Sequence, residues 1–508
     1  ADTSLAGGRS RRLRQEDALK YDLAVLGGGA AGLTAAGLGA NLGARTLLVE
    51  RERLGGDCTW SGCVPSKALL KAAKVAHLAR RAGDYGLEPA ELGVDLAKVL
   101  NRVHAIQRHI YDEADRPGIY EGHGVAVRIA AARFIGPHEL ELSMQDGSCE
   151  RVSFRHAVIA TGSRPVVPPI QGLSDCRYHT NETLFHLEKL PGHLGVLGAG
   201  PIGMEMAQAF RRLGARVTVF ERGRVVLPKD DPELTGVLHE RLGAEGVVIH
   251  LGAEVTSIES TRSGLRVQFE AGGEMRAEEV DTLLVAAGRS PQVESLHLEA
   301  AGVRSGARGI LVDAYCRTNR KHLYACGDVV GRLQFTHMAE HMAKVAVGHA
   351  LLRLPVRLDT RAIPWVTYTD PEVAHVGARR VDLDRHGKRY RLYRFPFSKL
   401  DRAVVTGVPQ GWVHVLATRW TGRILGASIV GENAGEMIAE LGLALKHRIP
   451  LRKIADTVHA YPTFALGNRR AADQWYVQRA SPLFVRLLQK VRGFHGRVPP
   501  APDPERSV

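Results

Sequence analysis

One local pattern occurs twice in this chain, and it constrains the fold more than any other feature. In each copy a short apolar strand leads into a GxGxxG loop, a helix follows, and a second strand ends in a glutamate. The copies occupy residues 21–50 and 194–221, and in both the glutamate lies 23 residues after the first glycine (50 − 27 and 221 − 198). A loop of this kind lets a diphosphate approach the backbone at a helix N-terminus. Two copies predict an α/β chain that binds two dinucleotides.

The residues of each fingerprint have separate roles in such a Rossmann-like domain. The first glycine permits the tight turn, the second lets the pyrophosphate reach the backbone, and the third lets helix and strand pack closely. The glutamate can accept hydrogen bonds from ribose hydroxyls, so Glu221 favours NADH, although Arg222 and Arg224 could instead accept a 2′-phosphate. The predicted cofactor residues are Gly27, Gly29, Gly32 and Glu50 in the first copy and Gly198, Gly200, Gly203, Glu221 and Arg222 in the second.

Composition indicates an ordinary globular protein of several domains. A length of 508 residues suggests about three domains, and no apolar run approaches the roughly 20 residues of a membrane span. The net charge of +14, from 68 basic and 54 acidic residues, fits a basic solvated surface. The sequence has no basic stripe interleaved with aromatic residues, so we do not expect it to bind nucleic acid. The N-terminus has arginines without the apolar segment of a signal peptide, so we expect a cytoplasmic protein.

Two cysteines, Cys58 and Cys63, follow directly after the first fingerprint unit. On a helix this spacing can place both sulfurs within disulfide reach on neighbouring turns, and a disulfide close to a bound flavin could accept two electrons and pass them on. The pair offers too few ligands for a zinc site. Taken alone, the two residues could also be unrelated core cysteines.

The residues around the pair favour the redox interpretation. The segment GGDCTWSGCVPSK at 55–67 resembles the redox-active segment of the pyridine nucleotide–disulfide oxidoreductases, which include glutathione reductase, dihydrolipoamide dehydrogenase and mercuric reductase. The resemblance extends over residues 20–475 through ATGSRP at 160–165, AGRSP at 287–291, YACGD at 324–328 and YTDPEVA at 368–374. It implies an FAD domain (21–165 and 288–353), an NAD(P) domain (166–287) and a C-terminal α+β dimerisation domain (354–480) that makes a homodimer.

The resemblance also implies a route for electrons and a role for each site residue. NAD(P)H reduces the flavin on one face, and electrons pass to a Cys58–Cys63 disulfide on the other. Cys63 is the thiolate nearer the flavin, and Cys58 attacks the substrate by thiol exchange. Lys67, one helical turn after Cys63, faces the flavin, with Glu205 as its ion-pair partner. The matched segments add further cofactor-binding residues, Gly56, Thr161, Gly162, Gly288 and Asp328, the last of them bonded to the ribityl chain.

The C-terminal end of the resemblance contains a departure. In the dihydrolipoamide and glutathione reductases, a histidine precedes Pro-Thr, and a glutamate five residues later orients it for proton transfer to the exchange thiol. Here these positions hold Tyr461 and Leu466, and a phenol with an unperturbed pKa near ~10 is a poor base at neutral pH. His459, two residues earlier, could act as the base or have a structural role.

This departure shifts the predicted substrate. Mercuric reductases, by resemblance, have a tyrosine at this place, and Cys58 with Cys63 could hold soft Hg(II) transiently without a proton shuttle. We therefore expect an NAD(P)H-dependent flavoprotein that reduces a soft metal ion or a disulfide. The alternatives are a dihydrolipoamide dehydrogenase-like enzyme and, less favoured, a non-catalytic redox-sensing flavoprotein. The sequence has no cysteine before Cys58 and none after Cys326, so metal would have to reach the site directly.

Both ends of the chain are basic. Residues 1–20 predict a flexible arm, and residues 481–508 predict a basic amphipathic tail. This tail could dock on its own protein or lie on an anionic membrane surface. Its apolar side consists of Leu483, Leu487, Leu488, Val491 and Phe494.

Overall fold

The computed structural model describes residues 20–479 and 482–498. Apart from Lys20, the predicted N-terminal arm lies outside the described residues, as do residues 480, 481 and 499–508 around the predicted tail. Within the described ranges, no helix combines the length and the apolar character that crossing a membrane requires.

The first part of the chain folds into a parallel sheet flanked by helices. The strands in this part of the chain are β1 (Tyr21–Leu26), β2 (Thr46–Glu50), β3 (Ala126–Gly136), β4 (Glu139–Met144) and β5 (Cys149–Ile159), with β6 (Ser163–Pro165) outside the sheet, and the helices are α1 (Ala30–Asn41), α2 (Gly56–Trp60), α3 (Cys63–Arg80), α4 (Leu96–Ile110) and α5 (Pro117–Gly122). β1 lies between β2 and β5, with β3 beside β2, and all these pairings are parallel. β4 pairs antiparallel with β3 and β5. Helix α4 ends at Ile110, and a π-helical turn begins at Tyr111.

The second fingerprint builds a smaller parallel sheet of its own. This part contains β7 (His193–Leu197), α6 (Pro201–Leu213), β8 (Arg216–Glu221), α7 (Pro232–Ala244), β9 (Val247–Leu251), β10 (Glu254–Ser260), β11 (Leu265–Ala271), β12 (Glu274–Val280) and β13 (Thr282–Val285). The parallel sheet has the order β13-β7-β8-β9, and β10, β11 and β12 form a separate antiparallel sheet.

The chain then returns to the first sheet. The returning elements are β14 (Arg289–Pro291), β15 (Ser305–Gly306), β16 (Gly309–Ile310), β17 (Leu323–Ala325) and α8 (Thr336–Leu352). β14 pairs with β6, so the outgoing and returning crossings between the two domains lie side by side. β17 pairs in parallel with β5 and extends the first sheet, and α8 packs against α1.

The last part is an antiparallel sheet with helices, in the order β18-β19-β22-β21-β20. Its elements are β18 (Pro364–Thr367), β19 (Glu372–Gly377), α9 (Arg380–Arg385), β20 (Arg391–Pro396), α10 (Asp401–Val405), β21 (Trp412–Ala417), β22 (Ile424–Gly431), α11 (Ala434–Lys446), α12 (Leu451–Asp456) and α13 (Leu466–Val477). α11 packs on β19 and β22. A further helix, α14 (Pro482–Arg492), follows this domain.

A buried ion-pair network fixes the second dinucleotide domain to this last domain. The Arg212 side chain on α6 is 3% exposed and pairs with Glu245 at 2.6 Å and with Asp370 at 2.8 Å. Gln208, one turn earlier, donates to the Asp370 carbonyl and accepts from its N–H, both at 2.7 Å. Because these groups are removed from water, their mutual pairing is what makes their burial tolerable.

We expect Arg212→Met to lower the apparent free energy of unfolding by about 3 kcal/mol or more, because Asp370 is left without its ion-pair partner in a buried setting. Urea unfolding followed by circular dichroism measures the effect. Arg276→Met is the matched control, because its pair with Glu274 is 50% and 73% exposed, and we expect it to cost less than about 1 kcal/mol. Equal losses in the two variants would contradict the structural role of the network.

Candidate active site

The two cysteines lie on consecutive helices and not on the one helix that their spacing would also allow. Cys58 belongs to α2 and Cys63 is the first residue of α3. The helix breaks at Ser61 and Gly62, where Ser61 Oγ donates to Asp57 Oδ1 at 2.7 Å. A Cβ on Gly62 would approach the Asp57 carbonyl oxygen to 2.8 Å, so the break needs a glycine. It places Cys63 at the N-terminus of an 18-residue helix.

Two glycines allow the cysteine segment to pack closely against the first fingerprint loop. Gly55 and Gly56 have φ angles of 100° and 59°, in the left-handed region that favours glycine. A Cβ on Gly56 would lie 2.6 Å from the Cα of Gly29, the second glycine of the fingerprint. Backbone therefore meets backbone here, which brings the dithiol segment close to the predicted flavin loop.

The two thiols have unequal acidities. The hydrogen bond donated by Cys58 to Cys63, together with burial, raises the pKa of Cys58 well above its ordinary range. The same bond lowers the pKa of Cys63 to about 6 against the opposing effect of burial, and the charge of Lys67 adds to this. Thr336 Oγ1 lies 3.6 Å from Cys63 Sγ. Because Cys63 begins α3 and Thr336 begins α8, two helix N-termini favour the thiolate.

Lys67 and Glu205 form the predicted ion pair. Lys67 Nζ donates to both carboxylate oxygens of Glu205, at 2.8 and 3.0 Å. Glu205 is 3% exposed, and its Oε1 also accepts the backbone N–H of Tyr368 at 2.9 Å. Burial opposes the charge of Lys67, but the Glu205 carboxylate outweighs it and raises the pKa of the lysine. The ammonium lies 4.6 Å from the centre of the Tyr368 ring, a cation–π distance.

Both fingerprint glutamates hold their loops in the same way. Glu50 Oε2 accepts the N–H of Gly28, and Glu221 Oε2 accepts the N–H of Ala199, each at 2.7 Å. The second oxygen of each carboxylate accepts the N–H two residues further on, at Glu52 and Gly223. Each acid is thus fixed beside the loop where a ribose would lie. Arg222 and Arg224 are exposed.

The two GxGxxG loops pack tightly against backbone at their first and third glycines and leave space at their second glycine. A Cβ on the first or third glycine of either fingerprint would collide with backbone: Gly27 with the Ala160 carbonyl, Gly198 with that of Ala286, and Gly32 and Gly203 with the carbonyls of Gly27 and Gly198. At the second glycine the nearest atom is 3.7 Å away for Gly29, and none lies within 4 Å for Gly200. This cradle, at the N-termini of α1 and α6, fits a dinucleotide diphosphate in each domain.

Asp328 lies in a polar cluster that also contains an arginine. Ser163 Oγ donates to Asp328 Oδ2 at 2.6 Å, and burial raises the pKa of Asp328. Arg289, from the returning crossing, donates to Ser163 Oγ at 2.8 Å and lies 3.4 Å from Asp57 and 3.9 Å from Asp328. One guanidinium therefore balances two carboxylates beside the cysteine segment.

The two crossings are held together next to this cluster. Thr161 Oγ1 donates to the Gln292 carbonyl at 2.7 Å, and the Gln292 N–H donates to the Gly162 carbonyl at 3.0 Å. Gly162 and Gly288 have φ angles of 72° and 123°, and a Cβ on either would meet no atom within 4 Å. Both glycines are thus required by the backbone turn and leave open space.

Tyr461 and His459 make their contacts within the last domain. Tyr461 is 69% exposed, and its hydroxyl donates to Asp401 Oδ2 at 2.9 Å, which raises the pKa of the phenol. His459 Nδ1 lies 3.0 Å from the Thr457 carbonyl oxygen, and Nε2 lies 2.9 Å from Glu440 Oε1. Both ring nitrogens of His459 are therefore engaged, and the structure does not bring either residue to the cysteine pair of its own subunit.

Sequence reasoning missed three residues of this site. Thr336 touches Cys63, Tyr368 touches Lys67 and Glu205, and Arg289 balances Asp57 and Asp328. Tyr368 and Arg289 stand inside segments that carried the resemblance, so their position there was a usable signal. Thr336 begins helix α8, but nothing in the sequence indicates that the start of this helix meets Cys63.

We expect Lys67→Met to raise the pKa of the Cys63 thiol by about one unit or more, because the cation is lost and the Glu205 carboxylate is left facing the sulfur. Absorbance of the thiolate near 240 nm, followed in the reduced protein as the pH is raised, measures this. Lys71→Met, at an exposed lysine one turn further along α3, is the control and should leave the titration unchanged. An unshifted titration in Lys67→Met would refute the electrostatic role of the lysine.

Comparisons with known proteins agree with this geometry. Residues 21–343 match the model of the pyridine nucleotide-disulphide oxidoreductases, and residues 363–471 match that family's dimerisation domain, which supports a homodimer. A dihydrolipoyl dehydrogenase of Bacillus subtilis (strain 168) is 33% identical over 467 residues, covering 90% of this chain and 98% of the relative. A mercuric reductase of Streptomyces lividans is 33% identical over 454 residues, covering 89% and 95%.

Solved structures show the same architecture. The Cu(II) complex of the HOCl-induced flavoprotein disulfide reductase RclA from Escherichia coli superposes with a TM-score of 0.79 at 28% identity, covering 90% of this chain and 99% of that one. LpdA from Mycobacterium tuberculosis gives a TM-score of 0.82 at 27% identity, covering 89% and 99%. The predicted fold class is confirmed, and the family uses FAD and a nicotinamide dinucleotide. The chain belongs to the pyridine nucleotide-disulphide oxidoreductases.

Proposed function

We propose that this oxidoreductase passes electrons from NADH to a soft metal ion held by Cys58 and Cys63, in the manner of mercuric reductases. The observation that carries the proposal is the state of the residues at the Pro-Thr motif. Tyr461 stands before Pro462 as a hydrogen-bonded neutral phenol, and His459 has both ring nitrogens engaged. A reaction that depends on a free imidazole is poorly served here, whereas a thiolate-bound metal ion needs none.

Different residues of the chain would have different roles at the proposed site. FAD, when bound, supplies the two-electron exchange between the nicotinamide and the cysteine pair. The loops at Gly29 and Gly200 would hold the two diphosphates, and Asp328 with Ser163 would face the flavin's ribityl chain. Lys67, held by Glu205, keeps a positive charge beside Cys63.

No disulfide joins Cys58 and Cys63 in the structure, and the reduced pair is the state that would bind a metal ion. Cys63, with its pKa near 6, is already a thiolate at neutral pH, so the metal ion displaces one proton only, from Cys58. The net reaction is NADH + Hg(II) → NAD⁺ + Hg(0) + H⁺, in which the nicotinamide loses two electrons and the metal gains them. Thiolates are the ligands that soft ions prefer.

Tyr461 would act across the homodimer. Its high exposure within its own subunit and its position in the matched dimerisation domain both fit a residue that is covered by another subunit. There a phenol could bind beside the cysteine pair of the partner and modulate its charge. Hydrogen bonding to Asp401 keeps the hydroxyl oriented and protonated.

A second candidate is a dihydrolipoamide dehydrogenase-like reaction, favoured by one observation. His459 forms a histidine–glutamate pair with Glu440, the residue types that the shuttle of those enzymes uses, and a dihydrolipoyl dehydrogenase is among the relatives. However, His459 lies two residues earlier in the chain than the histidine of those enzymes. Both of its ring nitrogens are already engaged, so neither is free to accept a proton from a thiol. A purely redox-sensing flavoprotein is less favoured, because the thiols, Lys67 and both dinucleotide loops are all retained.

NADH is the favoured reductant. The Glu221 carboxylate is fixed by two backbone N–H groups at the point where a 2′-phosphate would lie, and the like charge would repel it. Arg222 and Arg224 are exposed beside it and could compensate only by moving toward the phosphate. The cytoplasmic location stays a prediction of the sequence.

We expect the purified holoenzyme to oxidise NADH faster with Hg(II) than with lipoamide, glutathione disulfide or oxygen, and NADH to have at least tenfold higher kcat/KM than NADPH. Initial rates at 340 nm with each acceptor and each nucleotide measure this. Cys58→Ser is the control that should abolish the Hg(II)-dependent rate. A faster rate with lipoamide, or NADH formation from dihydrolipoamide at a comparable rate, would favour the second candidate.

We expect Tyr461→Phe to slow reoxidation of the reduced enzyme by Hg(II) at least tenfold and to leave its reduction by NADH unchanged, because in the proposed homodimer the phenol acts at the cysteine pair of the partner subunit and not at the nicotinamide. Stopped-flow absorbance separates the two half-reactions. Tyr476→Phe is a matched control, since that hydroxyl also donates to an aspartate, Asp456 Oδ1 at 2.9 Å, from an exposed position. Equal slowing of both half-reactions would count against this placement of Tyr461.

A further inference from the structure

Helix α14 presents an apolar stripe to solvent beyond the dimerisation domain. None of its residues is buried. Leu483, Leu487 and Val491 recur every four residues and are 78%, 57% and 68% exposed, and Phe494, just past the helix end, is 59% exposed. Leu488, which the sequence predicts on the same apolar side, is half-buried, as are Val485 and Gln489. An apolar stripe of this extent on a helix face indicates a contact surface.

The same exposed face is basic. Arg486 and Lys490 alternate with the apolar residues along it, and Arg492 and Arg497 follow. Residues 482–498 contain no aspartate or glutamate. Within the described part of the chain, no ion pair with an acidic side chain involves these four cations.

The positive charge of the exposed face of α14 indicates what kind of surface it binds. A second copy of the chain has a net charge of +14, so its surface would on average repel a cationic helix. Anionic phospholipid headgroups offer negative charge, and the acyl boundary beneath them accepts leucine, valine and phenylalanine side chains. With 11 residues the helix is far shorter than the roughly 20 residues needed to cross the bilayer, so it would lie in the interface plane.

We propose that α14 binds the surface of an anionic phospholipid membrane, with its apolar stripe in the interface and Arg486 and Lys490 at the phosphates. This function is independent of the electron acceptor, because the helix contributes no residue to the cysteine site. It would make the enzyme a peripheral membrane protein.

Co-sedimentation of the FAD-loaded enzyme with vesicles tests the proposal. We expect at least tenfold tighter binding to phosphatidylcholine vesicles containing phosphatidylglycerol than to phosphatidylcholine alone, with the binding weakened by salt. Both R486Q/K490Q and L487Q/V491Q should weaken binding to the anionic vesicles at least tenfold. R276Q, at an exposed arginine of the second dinucleotide domain, should bind as the parent does.

Several outcomes would overturn the proposal. Equal binding to both kinds of vesicle would be one, and binding as tight as the parent's by both R486Q/K490Q and L487Q/V491Q, the two tail variants, would be another. A third is a size-exclusion elution volume that shifts in the tail variants, which would show that the helix binds a second copy of the chain. Flavin content and circular dichroism establish that the variants fold. Turnover of NADH with Hg(II) in the absence of vesicles should be unchanged in the tail variants, so failure of the acceptor assay and failure of the membrane assay are distinguishable.

Discussion

The Lys67–Glu205 ion pair is the interaction on which the site depends. Lys67 belongs to the helix that begins at Cys63, Glu205 lies on the helix of the second fingerprint, and the same carboxylate accepts the N–H of Tyr368 from the start of the last domain. One nearly buried carboxylate thus joins three parts of the chain at the cysteine pair. The lysine stays charged because the carboxylate is close, and the carboxylate tolerates its burial because the lysine is close.

The inequality of the two thiols follows from what surrounds each of them. Cys63 receives a hydrogen bond from Cys58, lies at a helix N-terminus, meets Thr336 at another, and has a cation one turn away. Each of these favours negative charge on the same sulfur. Cys58 has the opposite position, because it donates the hydrogen bond and is the neighbour of a thiolate. The short break at Gly62 creates this asymmetry, since one continuous helix would not place Cys63 at a helix start.

The side chains of Tyr461 and His459, near the end of the dimerisation domain, are both hydrogen-bonded. Tyr461 is tied to Asp401, and His459 is tied to Glu440, which also accepts from Asn468 Nδ2 at 2.8 Å. The segment before Pro462 is therefore held from two sides, but neither tie leaves a free base. In the proposed function, this arrangement suits a substrate that binds to sulfur directly.

The order of residues was enough to predict the family, both dinucleotide loops, the cysteine pair and the partnership of Lys67 with Glu205. Glycines that must avoid backbone, and an acid at the end of a strand, leave a signature in the order of residues because their constraint is local. The family resemblance supplied the long-range pairing. Three features became evident only in the folded chain: the break between the cysteines, the contact of Thr336 with Cys63, and the position of Arg289 between two carboxylates. These depend on residues up to 273 positions apart meeting in space, and no local pattern records which side chains will meet.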